Sequence, residues 1–327
     1  MRTIKRCIAI YPPMLDIFVN IEESFLLENG VALDAIVSYS EKEHHTIHDY
    51  VMKSIKTKNN SFTFRAGGAT FNTQKILSNW LQCYFFGIIG CDAYGEIIEE
   101  KMQNTKVNIY LDKRDKFSTS WAYVFINNDK RANIALQDSS VCYSDKAKAE
   151  IERLVDGNTV FYFVSFMFVL PNIVKDYMAV HINKEKIGFC AIINLSSQEM
   201  VSLFRSEILE MIRLSDFIIG NKSEYYELSK TDNEESLIEW LDTLNVAYAI
   251  TDGSEDVIGK IPNGPLRRVS PKPVSHNAFT NGAGDSFAAG FIGALKNKEY
   301  KEIVDILPLL QNGVDASYQH ITSRGSA

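Results

Sequence analysis

The residues best suited to chemistry are Thr280-Asn281-Gly282-Ala283-Gly284-Asp285-Ser286-Phe287. Ala288, Phe291, Ile292 and Leu295 follow at helical spacing, so the octet predicts a helix start. Two glycines flanking an alanine let main-chain N–H groups converge without side-chain obstruction, and the helix start adds about half a positive charge. Gly282, Ala283 and Gly284 are therefore candidates for an anion hole, suited to charge developing on a transferring phosphoryl group. Asp285, at its edge, is the candidate catalytic base for an attacking hydroxyl. The same octet also reads as an ordinary helix start, with Asp285 a first-turn residue favoured by the dipole. It is neither a dinucleotide fingerprint nor a Walker loop: no strand immediately precedes it and no Gly-Lys-Ser/Thr follows.

Such a helix start needs a scaffold. Arg6–Ile10, Tyr84–Ile89, Val160–Val164, Ile187–Ile193, Phe217–Ile219 and Val246–Ile250 read as buried strands. Between them, Tyr94/Ile97/Ile98/Met102, Ile208/Met211/Ile212 and Leu237/Ile238/Leu241/Leu244 each form one apolar stripe of a helix. This alternation predicts an α/β protein with a mostly parallel sheet flanked by helices. The front third departs from it. Asp16–Ile36 reads as strand without clear helices, and Trp121–Ile126 and Ala132–Gln137 flank a turn-rich tetrad, as in a hairpin. These pieces predict a small β lid, built from about 16–36, 60–66 and 116–138, inserted into a single domain spanning 1–327.

Composition sets the outer limits. Of 327 residues, 46% are hydrophobic and 23% charged, the balance of a soluble globule. The net charge of −7 argues against a nucleic-acid or anionic-membrane surface. The longest apolar run, Val160–Leu170, falls short of the roughly 20 residues that span a bilayer, and reads as a strand running into a loop. The five scattered cysteines lack metal-ligand spacing and read as reduced core thiols of a cytoplasmic protein. His44, His45 and His48 read as a solvated face.

Three motifs in order carry a family resemblance. Phe279-Thr280-Asn281-Gly282-Ala283-Gly284-Asp285 is similar to the Asp-Thr-x-Gly-Ala-Gly-Asp of ribokinase-like kinases, with the Asn typical of adenosine kinases. Gly67-Gly68-Ala69-Thr70-Phe71-Asn72 resembles their glycine pair before an Asn-bearing helix, and Asn221-Lys222-Ser223-Glu224 their Asn-x-x-Glu. The resemblance covers nearly the whole chain. It implies the ribokinase-like fold and transfer of the γ-phosphoryl of ATP to the 5′-hydroxyl of adenosine, with Mg2+ as cofactor, in a monomer.

The resemblance also implies roles. Asp16, in Pro13-Met14-Leu15-Asp16, matches the Asp that grips the ribose diol; Gly68 and Asn72 would complete the sugar site. Asn221 and Glu224 would shape the phosphate and magnesium environment through water, and Asn221 also fits a helix N-cap. Arg131 falls where adenosine kinases have an arginine that closes over phosphates; Thr251 and Gly253 match the nucleotide-side Thr-x-Gly. Phe166 and Leu136 lie in segments that flank the purine. Two positions depart from the pattern, Phe279 for the first Asp of the C-terminal motif and Pro12 for an Asn beside the sugar, and leave open a kinase for another nucleoside or sugar of the family or a non-catalytic nucleoside-binding relative.

Overall fold

Burial decides where the strands lie. In the computed structural model, which describes residues 2–32, 36–38, 41–57, 62–127, 130–275 and 280–324, β1 (Arg6–Ile10) has four consecutive buried residues. It pairs in parallel with a strand on each side, as a strand covered on both faces by helices must. The chain leaves it through buried Tyr11, Pro12 and Pro13 for β2 (Met14–Asn20), where burial alternates residue by residue and one face is wetter.

β3 (Ile36–Ser38) and β4 (Thr63–Gly67) stay with β2 in a smaller sheet, whereas β5 (Gln82–Gly90) and β6 (Asn108–Arg114) return beside β1. β7 (Trp121–Asn127) and β8 (Lys130–Leu136) form an antiparallel pair in the smaller sheet. β9 (Thr159–Val164), β10 (Cys190–Asn194), β11 (Phe217–Asn221), β12 (Ala247–Thr251), β13 (Val257–Lys260) and β14 (Arg267–Val269) extend the large sheet on the other side of β1. The large sheet runs β14-β13-β12-β11-β10-β9-β1-β5-β6, antiparallel only at β13. The smaller runs β3-β8-β7-β2-β4. Strand order reverses around β1, and the carboxyl ends beside such a switch point are where α/β folds bind ligands.

Several sequence expectations need correcting. Asp16–Ile36 contains the helix Glu23–Glu28, too short to display a period and closed by Gly30 at φ +77°. The strand expected over Ile187–Ile193 starts at Cys190, because Lys184–Ile187 turns helically and Gly188 stops it at φ +81°. After β9 the apolar run continues as a 3-10 turn, Ser165–Val169. The three histidines do not share a solvated face: in the helix Glu41–Thr57, His44 is buried and His48 Nδ1 lies 2.7 Å from the Tyr123 hydroxyl. Cys7, Cys83 and Cys190 are buried and Cys142 half-buried, but Cys91 is exposed; all five are free. Among the described residues, no helix is long and apolar enough to cross a membrane, and no His/Cys/Asp/Glu group could hold a metal by itself.

The element that matters most is the helix Ala283–Gly293, buried continuously from Ser286 to Gly293. It is apolar on all sides because it packs against both Ala69–Leu77 and Leu307–Arg324. Close approach requires small residues: a Cβ on Gly290 would stand 2.3 Å from the Asn312 carbonyl oxygen and 2.6 Å from Ala316 Cβ. Gly290→Ala is therefore expected to destabilise the protein by about 1–3 kcal/mol, as overpacking does. Urea unfolding with an unchanged m-value checks this; an unaltered midpoint would contradict the packing argument.

Candidate active site

The helix Ala283–Gly293 begins where the sequence placed it. Gly282 is its N-cap in the left-handed region, φ +83°, which L side chains rarely adopt. Its carbonyl accepts the first helical bond, from Ser286 N–H at 2.9 Å, and a second from Ser286 Oγ at 2.7 Å. The first-turn amide of Gly284 precedes that bond, so no helical carbonyl claims it, and Gly284 lines a cleft with nothing within 4 Å of where its Cβ would be. The Ala283 amide is different. It donates to the Thr280 carbonyl at 3.0 Å, so one of the three expected anion-hole donors is committed within the loop.

The C-terminal helix Leu307–Arg324 holds this loop in place, a role the sequence reading missed. His320 Nε2 lies 2.9 Å from the Asn281 carbonyl, and Ser317 Oγ donates to the Ala283 carbonyl at 2.8 Å. The start of the helix forms one wall of a cleft of about 240 Å3, whose other walls come from the carboxyl ends of β10, β11 and β12. Asn221, Glu224, Thr251, Gly282, Gly284 and Asp285 line it. Gly253 is not in the lining; it stands in an exposed turn at φ +58°.

Asn221 and Glu224 form a reciprocal capping box at the helix Lys222–Ser229. Glu224 N–H donates to Asn221 Oδ1 at 2.9 Å; Glu224 Oε2 and Oε1 accept from the Asn221 main chain and amide, each at 2.8 Å. The N-cap reading of Asn221 is correct, and it leaves the pair facing the cleft. Burial pushes Glu224 up to about 7, opposed by the Asn221 main-chain bond. A hydrated cation arriving with a triphosphate would favour the ionised carboxylate, so the donor set fits Mg2+, which keeps several waters and takes one or two carboxylates plus phosphate.

Behind Asp285 lies the second cluster. Asn72, on the helix Ala69–Leu77, lies near enough to the Asp285 carboxylate to favour its ionised form. Asp16, in β2, feels the charge of Asp285, so opposite ends of the sequence come within electrostatic range here. Gly67 makes room: a Cβ there would stand 2.1 Å from Asp16 Oδ2. Gly68, at φ +91°, turns the chain from β4 into the helix. Burial pushes Asp16 up to about 7, with Lys75 and Arg65 opposing and Asp285 reinforcing the rise. Burial pushes Asp285 up to about 6, opposed by the Asn72 bond and by Lys75. A carboxylate that ionises close to neutrality is matched to general-base work.

Other residues escaped the sequence reading. Asn194 and Ser196 line the cleft; Ser196 sits at φ +63°, its N–H donating to Asn194 Oδ1 at 3.0 Å. Asn194 Nδ2 in turn donates to the buried Tyr162 hydroxyl at 2.9 Å. The signal was available, since polar residues directly after a buried parallel strand lie at its ligand end. Arg131 lies in β8 opposite Ile126, and its side chain falls outside the described residues, as does Phe279. Phe166 and Leu136 are half-buried.

Sheet order and helix start are those of the ribokinase-like fold. The chain belongs to the pfkB family of carbohydrate kinases, which residues 34–306 match. It is 26% identical over 315 residues to adenosine kinase 2 of Arabidopsis thaliana, covering 89% of this chain and 88% of that one. With adenosine kinase of Schizosaccharomyces pombe it shares 25% over 312 residues, 86% of each. Its fold matches Anopheles gambiae adenosine kinase in complex with P1,P4-di(adenosine-5) tetraphosphate, at TM-score 0.78 and 20% identity over 96% of this chain and 95% of that. A probable sugar kinase from Rhizobium etli matches at TM-score 0.80 and 18% identity, covering 98% and 94%. The protein is thus an adenosine-kinase-like nucleoside or sugar kinase that uses ATP as co-substrate.

A carboxyl whose folded pKa exceeds its unfolded value binds a proton on folding, so its contribution to stability falls as pH rises between the two. For Asp285 that interval runs from its ordinary 3.8 to about 6. Asp285→Asn, with no charge to bury, should melt higher than wild type at pH 7.5, the gain shrinking through pH 6 and vanishing near pH 4. Calorimetric melting across this range checks it; equal melting temperatures at pH 7.5 would contradict the burial of a charged Asp285.

Proposed function

We propose that the protein is an adenosine kinase, transferring the γ-phosphoryl of ATP to the 5′-hydroxyl of adenosine to give AMP and ADP. The observation that carries this reading is the position of Asp285: at a glycine-led helix start, lining the cleft, with Asn72 acting on its carboxylate and Asp16 within electrostatic range. A planar carboxylate can accept two hydrogen bonds from a vicinal diol, and Asp16 is assigned to the ribose. Gly68 and Asn72 complete that side.

Asp285 takes the proton of the 5′-hydroxyl as the oxygen attacks the γ-phosphorus and the bond to the leaving ADP oxygen breaks. The Gly284 amide, with Gly282 and the positive end of the helix, stabilises the charge on the transferring group. Thr251 and Asn221 line the ATP side, with Gly253 in the turn beyond and Arg131 assigned to closing over the phosphates. Glu224 and Asn221 would hold magnesium through water; the ion, when bound, neutralises triphosphate charge. The smaller sheet, which carries Asp16, serves as a lid that excludes water from the transfer. The protein acts as a monomer in the cytoplasm. The relatives' adenosine kinase names support the substrate.

One observation favours a second reading, a kinase for another nucleoside or a free sugar. Pro12 stands where the related kinases carry an amide beside the sugar, and it is buried with no N–H to offer. A panel of adenosine, inosine, guanosine, ribose and fructose with Mg-ATP separates the two. Adenosine is expected to give the highest kcat/KM, with AMP as product. Asp285→Ala should lower kcat at least about 100-fold, the usual contribution of a general base. An undiminished rate in that variant would defeat the mechanism, and turnover of only a free sugar would defeat the substrate assignment.

A further inference from the structure

We propose that Lys75 is a positioning residue whose charge favours the ionised forms of both Asp16 and Asp285, so that the diol grip and the base act as one unit. This rests on the roles just given to those two carboxylates. Two carboxylates within electrostatic range of one another repel, and each ionises less readily for the other's charge. A pocket that needs both ionised needs a common counter-charge.

Lys75 is placed to supply it. On the helix Ala69–Leu77 it lies one turn after Asn72, so the two share a face, and Asn72 already reaches Asp285. The stem is half-buried and its Nζ lies 4.9 Å from the centroid of the Phe71 ring. The same Nζ reaches the Ala66 carbonyl at 3.5 Å. Ala66 adjoins Gly67, the residue against which Asp16 Oδ2 rests. The ammonium therefore sits by the end of β4, where the Asp16 strand and the Asn72 helix meet, and its field acts on both carboxylates.

The other groups around the pair do not share this role. Arg65, paired with Asp16 across β2 and β4, is exposed, lies over Phe18 at 4.8 Å and acts on Asp16 alone. From β9, Tyr162 faces Asp285 with a hydroxyl that burial keeps neutral. Asn72 is uncharged. Lys75 is thus the cation common to both carboxylates among the described residues.

The test is a carboxylate carbon-13 NMR titration of Asp16 and Asp285 in wild type, Lys75→Met, Lys75→Gln and Lys75→Arg, with the pH profile of kcat/KM for adenosine measured alongside. Loss of the cation should move both titrations to higher pH, by about one unit or more. The acidic limb of kcat/KM should move with them, so that activity falls most at low pH and recovers at high pH. Lys75→Arg should restore both readouts. Met and Gln differ in polarity, so one neutral variant remains usable where the other folds poorly. Carboxylate titrations left at their wild-type positions, whatever the loss of rate, would overturn the proposal and leave Lys75 a packing residue. Titrations that move while the acidic limb does not would leave Lys75 in place and instead refute Asp285 as the base.

Discussion

The structure depends on keeping a carboxylate at the mouth of a helix whose remaining length is buried. Asp285 gains from the helix dipole only because Ala283–Gly293 is held rigidly, and it is held because apolar neighbours enclose it on every side. Burial that fixes the carboxylate also makes its charge costly. The outcome is a group near 6, partly restrained by Asn72 and Lys75, in place of an ordinary carboxylate. Catalytic readiness and folding stability thus pull on the same side chain in opposite directions.

The topology explains how distant segments reach that point. β1 is central, and its carboxyl end hands the chain directly to β2 of the smaller sheet through Tyr11-Pro12-Pro13. Asp16 is therefore attached to the core of the large sheet by a short tether stiffened by two prolines. On the other flank, β10, β11 and β12 end together at Asn194–Ser196, Asn221 and Thr251, forming the cleft side. Asp285 lines that cleft as well, which is where the proposed transfer would bring an acceptor hydroxyl and a phosphoryl donor together.

Much of this was legible in the residues. The glycine–alanine–glycine helix start, the central strands and the Asn221–Glu224 cap could be read because each rests on local chemistry: φ-permissive glycine, continuous burial, an N-cap three residues before its partner. Other features depend on tertiary placement, which local pattern does not encode. Lys75 reads in sequence as a polar position on an amphipathic helix; only the fold brings its ammonium to the Ala66 carbonyl and within range of two carboxylates. The Ala283 amide looks like an anion donor until the loop folds and Thr280 takes it. The helix Glu23–Glu28 is too short for periodicity to show, and the burial of His44 is set by tertiary packing that a polar stretch does not announce.

The central claim is spatial: one carboxylate touches the reacting hydroxyl while a second holds the sugar. A crystal structure with adenosine and a non-hydrolysable ATP analogue tests it most directly. The account predicts the 5′-hydroxyl within about 2.6–3.2 Å of an Asp285 carboxylate oxygen, with both ribose hydroxyls on Asp16. A nucleoside seated elsewhere, or bound here with its 5′-hydroxyl turned away from Asp285, would contradict it.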